Sequence, residues 1–174
     1  MAGQRDGSVH HSEDGTTRLS FSRTYPHPIE DVWAAIAKPE RLAQWWVEAD
    51  EFESHEGARV HLRWLNYDAE GWAPEATGTV TALTAPWLLE LDTDAQGALR
   101  FELVAESEDS TRLLFTATRQ LDVAYEAKML AGWHWRFDAL AQALDGTPVD
   151  WANWPRDVWL AHQRRYAEKL GWGG

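Results

Sequence analysis

Val32-Trp-Ala-Ala-Ile-Ala-Lys-Pro-Glu-Arg-Leu-Ala-Gln-Trp-Trp46 is the stretch that decides the reading of this chain. Val32, Trp33 and Ile36 fall at i, i+1 and i+4, which puts them on one face of a short helix. Lys38-Pro39 ends that helix, because a residue before proline is pushed out of the α region. A second short turn, Glu40 to Trp45, follows and runs into two adjacent tryptophans. Two short helices broken by Lys-Pro form a V-shaped support rather than a bundle element.

What the V supports is read from its flanks. Upstream, Thr16 to Tyr25 alternates, with Leu19, Phe21 and Arg23 on one side, and predicts a first strand. Pro26 and Pro28 close it, Pro28 being well placed to open a helix. Residues 1–15 are polar and aperiodic and are expected to be a flexible tail, in which His10-His11 has no assigned role. Downstream, Glu51 to Leu65 carries two short strands, the second with Val60, Leu62 and Trp64 on one face and Arg59, His61 and Arg63 on the other. That alternation means one buried face and one wet face. Asn66 to Pro74 is a long connection. Further strands follow at short spacing: Thr77–Leu83, then Trp87, Leu89 and Leu91, then Leu99, Phe101 and Leu103, then Leu113, Phe115 and Ala117. Tight turns between such strands predict an antiparallel meander of six or seven strands in all.

From Val123 to Leu144 the period changes to that of a helix. Met129, Leu130, Trp133, Phe137, Leu140, Ala141 and Leu144 share a stripe, and Asp145-Gly146 supplies the C-cap. About 22 residues would span about 33 Å, enough to cross a curved sheet. The fold class expected is therefore α+β.

Both ends of this region resemble one family. The pattern V-W-x-A-I-x-x-P-E-x-L-x-x-W-W and the closing Gly132-Trp-His-Trp-Arg-Phe-Asp-Ala-Leu-Ala-Gln-Ala-Leu-Asp-Gly146 are similar to SRPBCC (helix-grip, START-like) domains. Within these, they resemble the group named for activators of the heat shock protein 90 ATPase and their homologues. The resemblance covers residues 16–146 and implies a helix-grip fold, a curved sheet wrapped around the long helix. It also implies a pocket between the two. Residues 147–174 form an extension, in which Trp159, His162, Tyr166 and Leu170 share one side of a further helix that must dock somewhere.

Composition narrows the function. The net charge of −12 argues against nucleic acid and against anionic membranes, both of which attract cationic surfaces. With no cysteine, thiolate nucleophiles, thiolate metal sites and disulfides are excluded. The first residues lack a secretory h-region, and no apolar run reaches membrane-spanning length. A cytoplasmic protein is expected. Twelve tryptophans in 174 residues are the outlier. Each buries roughly 150–250 Å² but carries an N–H that needs a partner.

The candidate ligand-binding wall is Trp46, Val60, Leu62, Trp64, Leu89, Leu91, Phe101, Leu103, Leu113, Phe115, Trp133, Phe137 and Leu140. Solid core is the competing reading of the same residues. Glu126, on the buried stripe one turn before Leu130, and His134 are the candidates for acid–base chemistry. The i, i+4 pair His134/Asp138 lacks a visible third ligand, so no metal and no cofactor is expected. Nucleotide, hydrolase and metalloprotease motifs are absent from the sequence. The expected function is binding of a small hydrophobic or lipid-like molecule. A cyclase- or hydrolase-type enzyme in the same cavity and a protein-interaction module are the alternatives. Trp135 points about 200° away from Trp133 at 100° per residue. It is expected to be covered by Trp151, Trp154 or Trp159 of the same chain or of a homodimer partner.

Overall fold

The computed structural model describes residues 5–66 and 73–172. The elements run β1 (Ser8–His11), β2 (Thr16–Tyr25), α1 (Ile29–Ala37), α2 (Pro39–Leu42), β3 (Val47–Phe52), β4 (Arg59–Trp64), β5 (Glu75–Thr84), β6 (Leu88–Thr93), β7 (Gly97–Ser107), β8 (Ser110–Gln120), α3 (Glu126–Leu144) and α4 (Arg156–Lys169). All strands join one antiparallel sheet in the order β1-β2-β8-β7-β6-β5-β4-β3. The fold is α+β, with the curved sheet closed over α3 in the helix-grip arrangement.

Eight strands form where six or seven were expected. The additional one is β1, inside the segment read as a tail, paired through Val9↔Leu19 and His10↔Arg18. Four residues are too few to show an alternation, so the pattern could not reveal it. The long helix is also shorter than expected: Val123–Tyr125 is a single 3-10 turn, and α3 proper has 19 residues. Trp87, expected to face inward with Leu89 and Leu91, is 49% exposed, because it lies in the turn before β6 starts. Part of the long connection, residues 67–72, lies outside the described residues.

Register builds the interior. Phe21 pairs with Phe115, Phe115 with Phe101 and Phe101 with Leu89, so one inward row crosses four strands. Leu19, Ala117, Leu99, Leu91 and Val80 form the next row. Irregular register in β3, β5 and β7 bends the strands in the way β-bulges do. Gly78 is required there: a Cβ would stand 2.0 Å from the Asp92 carbonyl oxygen. Val32 and Ile36 of α1 are fully buried, so the face read from Val32–Trp46 does support the core. Tyr25 Oη donates to the Phe137 carbonyl at 3.0 Å, tying β2 to α3.

The extension returns to the tryptophan pair. Val149 N–H donates to Gln44 O at 2.9 Å and Trp151 Nε1 to Ala43 O at 2.7 Å. From there α4 lies along α3. Trp135 meets Trp151 at 5.9 Å and Trp154 at 5.6 Å between ring centroids, both edge to face. The cover expected for Trp135 comes from its own chain. Among the described residues, no helix is long and apolar enough to cross a membrane.

Candidate functional site

Every residue of the expected wall is buried, none more than 4% exposed. The inward rows of β2, β8, β7 and β6 deliver Phe101, Phe115 and the leucines. The turn after α2 delivers Trp46, and α3 brings Trp133, Phe137 and Leu140 down onto them. The two ends of this interior differ. At one end Phe115 lies 4.3 Å from Trp133 and 5.0 Å from Phe137, with Phe21 5.4 Å from Phe137. Rings at these separations are packed core.

At the other end the accounting fails. Trp46 lies 5.3 Å from Trp133 and 5.8 Å from Phe101. The indole nitrogens of both Trp46 and Trp133 are sealed from solvent with no acceptor among the described residues. Their neighbour Trp45 shows the ordinary solution, donating to Ala35 O at 2.9 Å. A buried N–H without a partner costs about 1–3 kcal/mol, and the great majority of such groups are paired. Arg136 adds a third unmatched group on the flank of the same ring. Its guanidinium carbon lies 5.7 Å from the Trp133 ring centre, and its Nε is buried without a partner. Burial alone pulls its pKa down to about 10.

Two clefts lined by described residues, of about 460 and 410 Å³, lie elsewhere. They run along the outward rows that carry Ser20, Arg100 and Thr116, and Arg18, Glu90 and Thr118.

The two acid–base candidates sit apart from the tryptophans. Glu126 is buried as expected, but its Oε1 is engaged by His11 Nε2 at 2.5 Å. His11 thus has a partner that the tail reading denied it. His134 packs against both α4 and Phe21 of the sheet. Its Nδ1 lies 2.8 Å from Tyr166 Oη. That oxygen also accepts the Gly7 N–H at 2.8 Å, leaving its proton for the imidazole. Burial, and then the charge of Arg23, pull the His134 pKa down to about 3.

The third partner missing from His134 and Asp138 is His162 of α4. Asp138 Oδ2 is 3.5 Å from His134 Nε2 and 4.0 Å from His162 Nε2, and one ligand atom from each lies within 4.8 Å of the others. The surroundings oppose a cation. Arg23 Nη2 faces Asp138 Oδ1 at 3.8 Å, Arg165 reaches His162 Nδ1 at 3.5 Å, and Asp6 is held by Arg165 and Lys169. The cluster is a junction between the N-terminal strand, α3 and α4.

With this geometry in hand, residues 26–145 match the family described as activator of Hsp90 ATPase homolog 1-like protein. The chain belongs to that family. No curated protein matches it. Among solved structures it is similar to a conserved protein of unknown function from Enterococcus faecalis, 19% identical, with TM-score 0.69 over 95% of this chain and 90% of that one. It is also similar to CalU16 from Micromonospora echinospora, 17% identical, TM-score 0.67, covering 97% and 98%. A protein from Rhodobacter sphaeroides, 22% identical, has TM-score 0.65 over 81% of this chain and 99% of that one. At these identities the shared property is the fold of the activator-homologue family. That fold leaves the chemistry of any site to the individual side chains.

Two of those side chains were not read as site residues from the sequence. His162 could not be paired with α3 by spacing, since a separate element carries it. Arg136 had a signal. Gly132 sits one turn before it inside a helix, where glycine costs about 1 kcal/mol relative to alanine.

Proposed function

We propose that this member of the activator-homologue family binds a small apolar or aromatic molecule between the sheet and α3, at the Trp46–Trp133 end. One observation carries the reading: two neighbouring buried indoles whose N–H donors have no acceptor among the described residues. A binding site of this kind has apolar walls and a few convergent polar groups that fix orientation. Here the walls are Trp46, Phe101, Trp133 and their leucine neighbours, and the orienting groups are donors. The occupant supplies the acceptor.

The reading is tested with prodan, a neutral naphthyl ketone dye whose carbonyl can accept those bonds. Saturable quenching of tryptophan emission, together with a blue shift of the dye, is the expected result. Trp46→Phe keeps an aromatic ring and removes one donor, and should weaken binding about fivefold, the cost of one hydrogen bond. Emission that changes only linearly with dye would contradict the proposal.

A further inference from the structure

Arg136 lies back over its own helix. A Cβ on Gly132 would lie 2.8 Å from Arg136 Nη1 and 3.9 Å from Trp159 Nε1. The guanidinium therefore folds back across the bare glycine, between the Trp133 ring and α4. At 100° per residue Gly132 lies about 100° and Arg136 about 60° to the same side of Trp133. Glycine inside a helix is unfavourable, and here it makes room for this fold-back. The side chain does not reach outward to a carboxylate: among the described residues Arg136 donates no hydrogen bond, although Arg23, Arg63, Arg100 and Arg165 all donate to oxygens. Among the described residues no carboxylate forms an ion pair with it, and burial pulls its pKa down to about 10.

Trp46 Nε1, Trp133 Nε1 and Arg136 Nε are thus three unmatched donors around one ring. No acceptor is among them. Arg136 is half-buried, with Nε sealed; a sealed N–H without an acceptor is unfavourable, and guanidinium matches carboxylate geometry through paired N–H···O bonds.

We infer that the interior site is selective for apolar acids, with the ligand's carboxylate on the Arg136 guanidinium and its hydrocarbon against Trp46 and Trp133. This deepens the proposed function and rests on it. The aliphatic or aromatic skeleton is read by shape; the acid is read by a fixed fork. Gly132 is a positioning residue, because its missing side chain keeps the fork aimed.

The test compares octanoate with octanamide near neutral pH, where the acid is ionised and the amide is its neutral counterpart. Binding is followed by tryptophan emission and calorimetry. Octanoate should bind at least about tenfold more tightly, equivalent to about 1.4 kcal/mol. Arg136→Met should bring the ratio of the two affinities to about one. Gly132→Ala keeps the charge but displaces the guanidinium, and should cut the ratio as well; it serves as the second variant if the first folds poorly. Equal affinities in the native chain would overturn the acid preference and leave the interior site standing. A preference that persists in both variants would overturn the role of Arg136. Failure of both probes, with prodan also unbound, would remove the site itself.

Discussion

Two arginines lean on aromatic rings on opposite flanks of α3. Arg23, on β2, lies 5.5 Å from the Phe21 ring centre and 6.0 Å from that of Phe137, while Arg136 lies 5.7 Å from that of Trp133. Burial lowers the pKa of both. Arg23 has charged and polar partners: Nη2 faces Asp138 at 3.8 Å and Nη1 donates to the Arg5 carbonyl, although Nε, Nη2 and Asp138 Oδ1 make no hydrogen bond among the described residues. Arg136 has no counterpart among the described residues. A buried charge that is matched ties elements together. An unmatched one only costs stability until something else binds it. The Arg23 flank therefore reads as construction, and the Arg136 flank is where we propose a site.

The contrast can be broken by the same substitution on each side. Arg23→Met removes the donor to the Arg5 carbonyl and the cation facing the part-exposed Asp138, and should destabilise the chain by up to about 3 kcal/mol. Chemical denaturation measures it. A loss below 1 kcal/mol would mean that Asp138 is already satisfied by solvent.

On the same flank, Tyr166→Phe leaves the Gly7 N–H and His134 Nδ1 without their shared partner. The expected loss is about 1–3 kcal/mol, and it should come with faster amide exchange at Gly7. Unchanged exchange would show that the N-terminal strand is held by other contacts.

Acidification should strain that flank more gradually. His134 is buried neutral with its pKa pulled to about 3, against an ordinary unfolded value near 6.5. Below about pH 6.5 the unfolded chain takes up a proton that the folded chain refuses. Stability is complete above that pH and falls as the pH drops, by up to about 1.4 kcal/mol per unit. The imidazole is faced by Arg23, Arg165 and His162, which oppose its protonation, and by Asp6 and Asp138, which favour it. Between about pH 6.5 and 5, before carboxylates titrate, His134→Gln should flatten the slope. An equal slope in the variant would place the acid sensitivity elsewhere.

The smallest effect has the opposite sign. Arg136→Met replaces an unmatched charge with an apolar chain and should raise ligand-free stability by about 1 kcal/mol. A loss comparable to that of Arg23→Met would erase the contrast.

The two flanks were unequally legible in the sequence. The fold was read from periods: alternation through Val60, Leu62 and Trp64, the helical stripe through Trp133 and Phe137, and the proline break at Lys38-Pro39. These patterns record what faces the core, so the buried wall could be named as well. The polar partnerships record what lies nearby in space. His11 meets Glu126 across 115 positions and Tyr166 meets Gly7 across 159, distances at which spacing carries no information. Arg136 has the opposite difficulty. It has no partner to find, and a charged residue on a long helix reads as solvated. Only Gly132, one turn earlier, marks the close approach.

The most direct test is an amide-and-indole ¹H–¹⁵N spectrum of the intact chain titrated with octanoate, which has no ring current to disturb its surroundings. Indole N–H protons move downfield when they gain an acceptor. Trp46 and Trp133 have none in the free protein, whereas Trp45 and Trp151 donate to Ala35 O at 2.9 Å and Ala43 O at 2.7 Å. The account predicts saturable downfield shifts for the Trp46 and Trp133 indoles, with Trp45 and Trp151 unmoved. Indole signals that stay fixed for Trp46 and Trp133 while octanoate binds, or that move equally for all four, would contradict it.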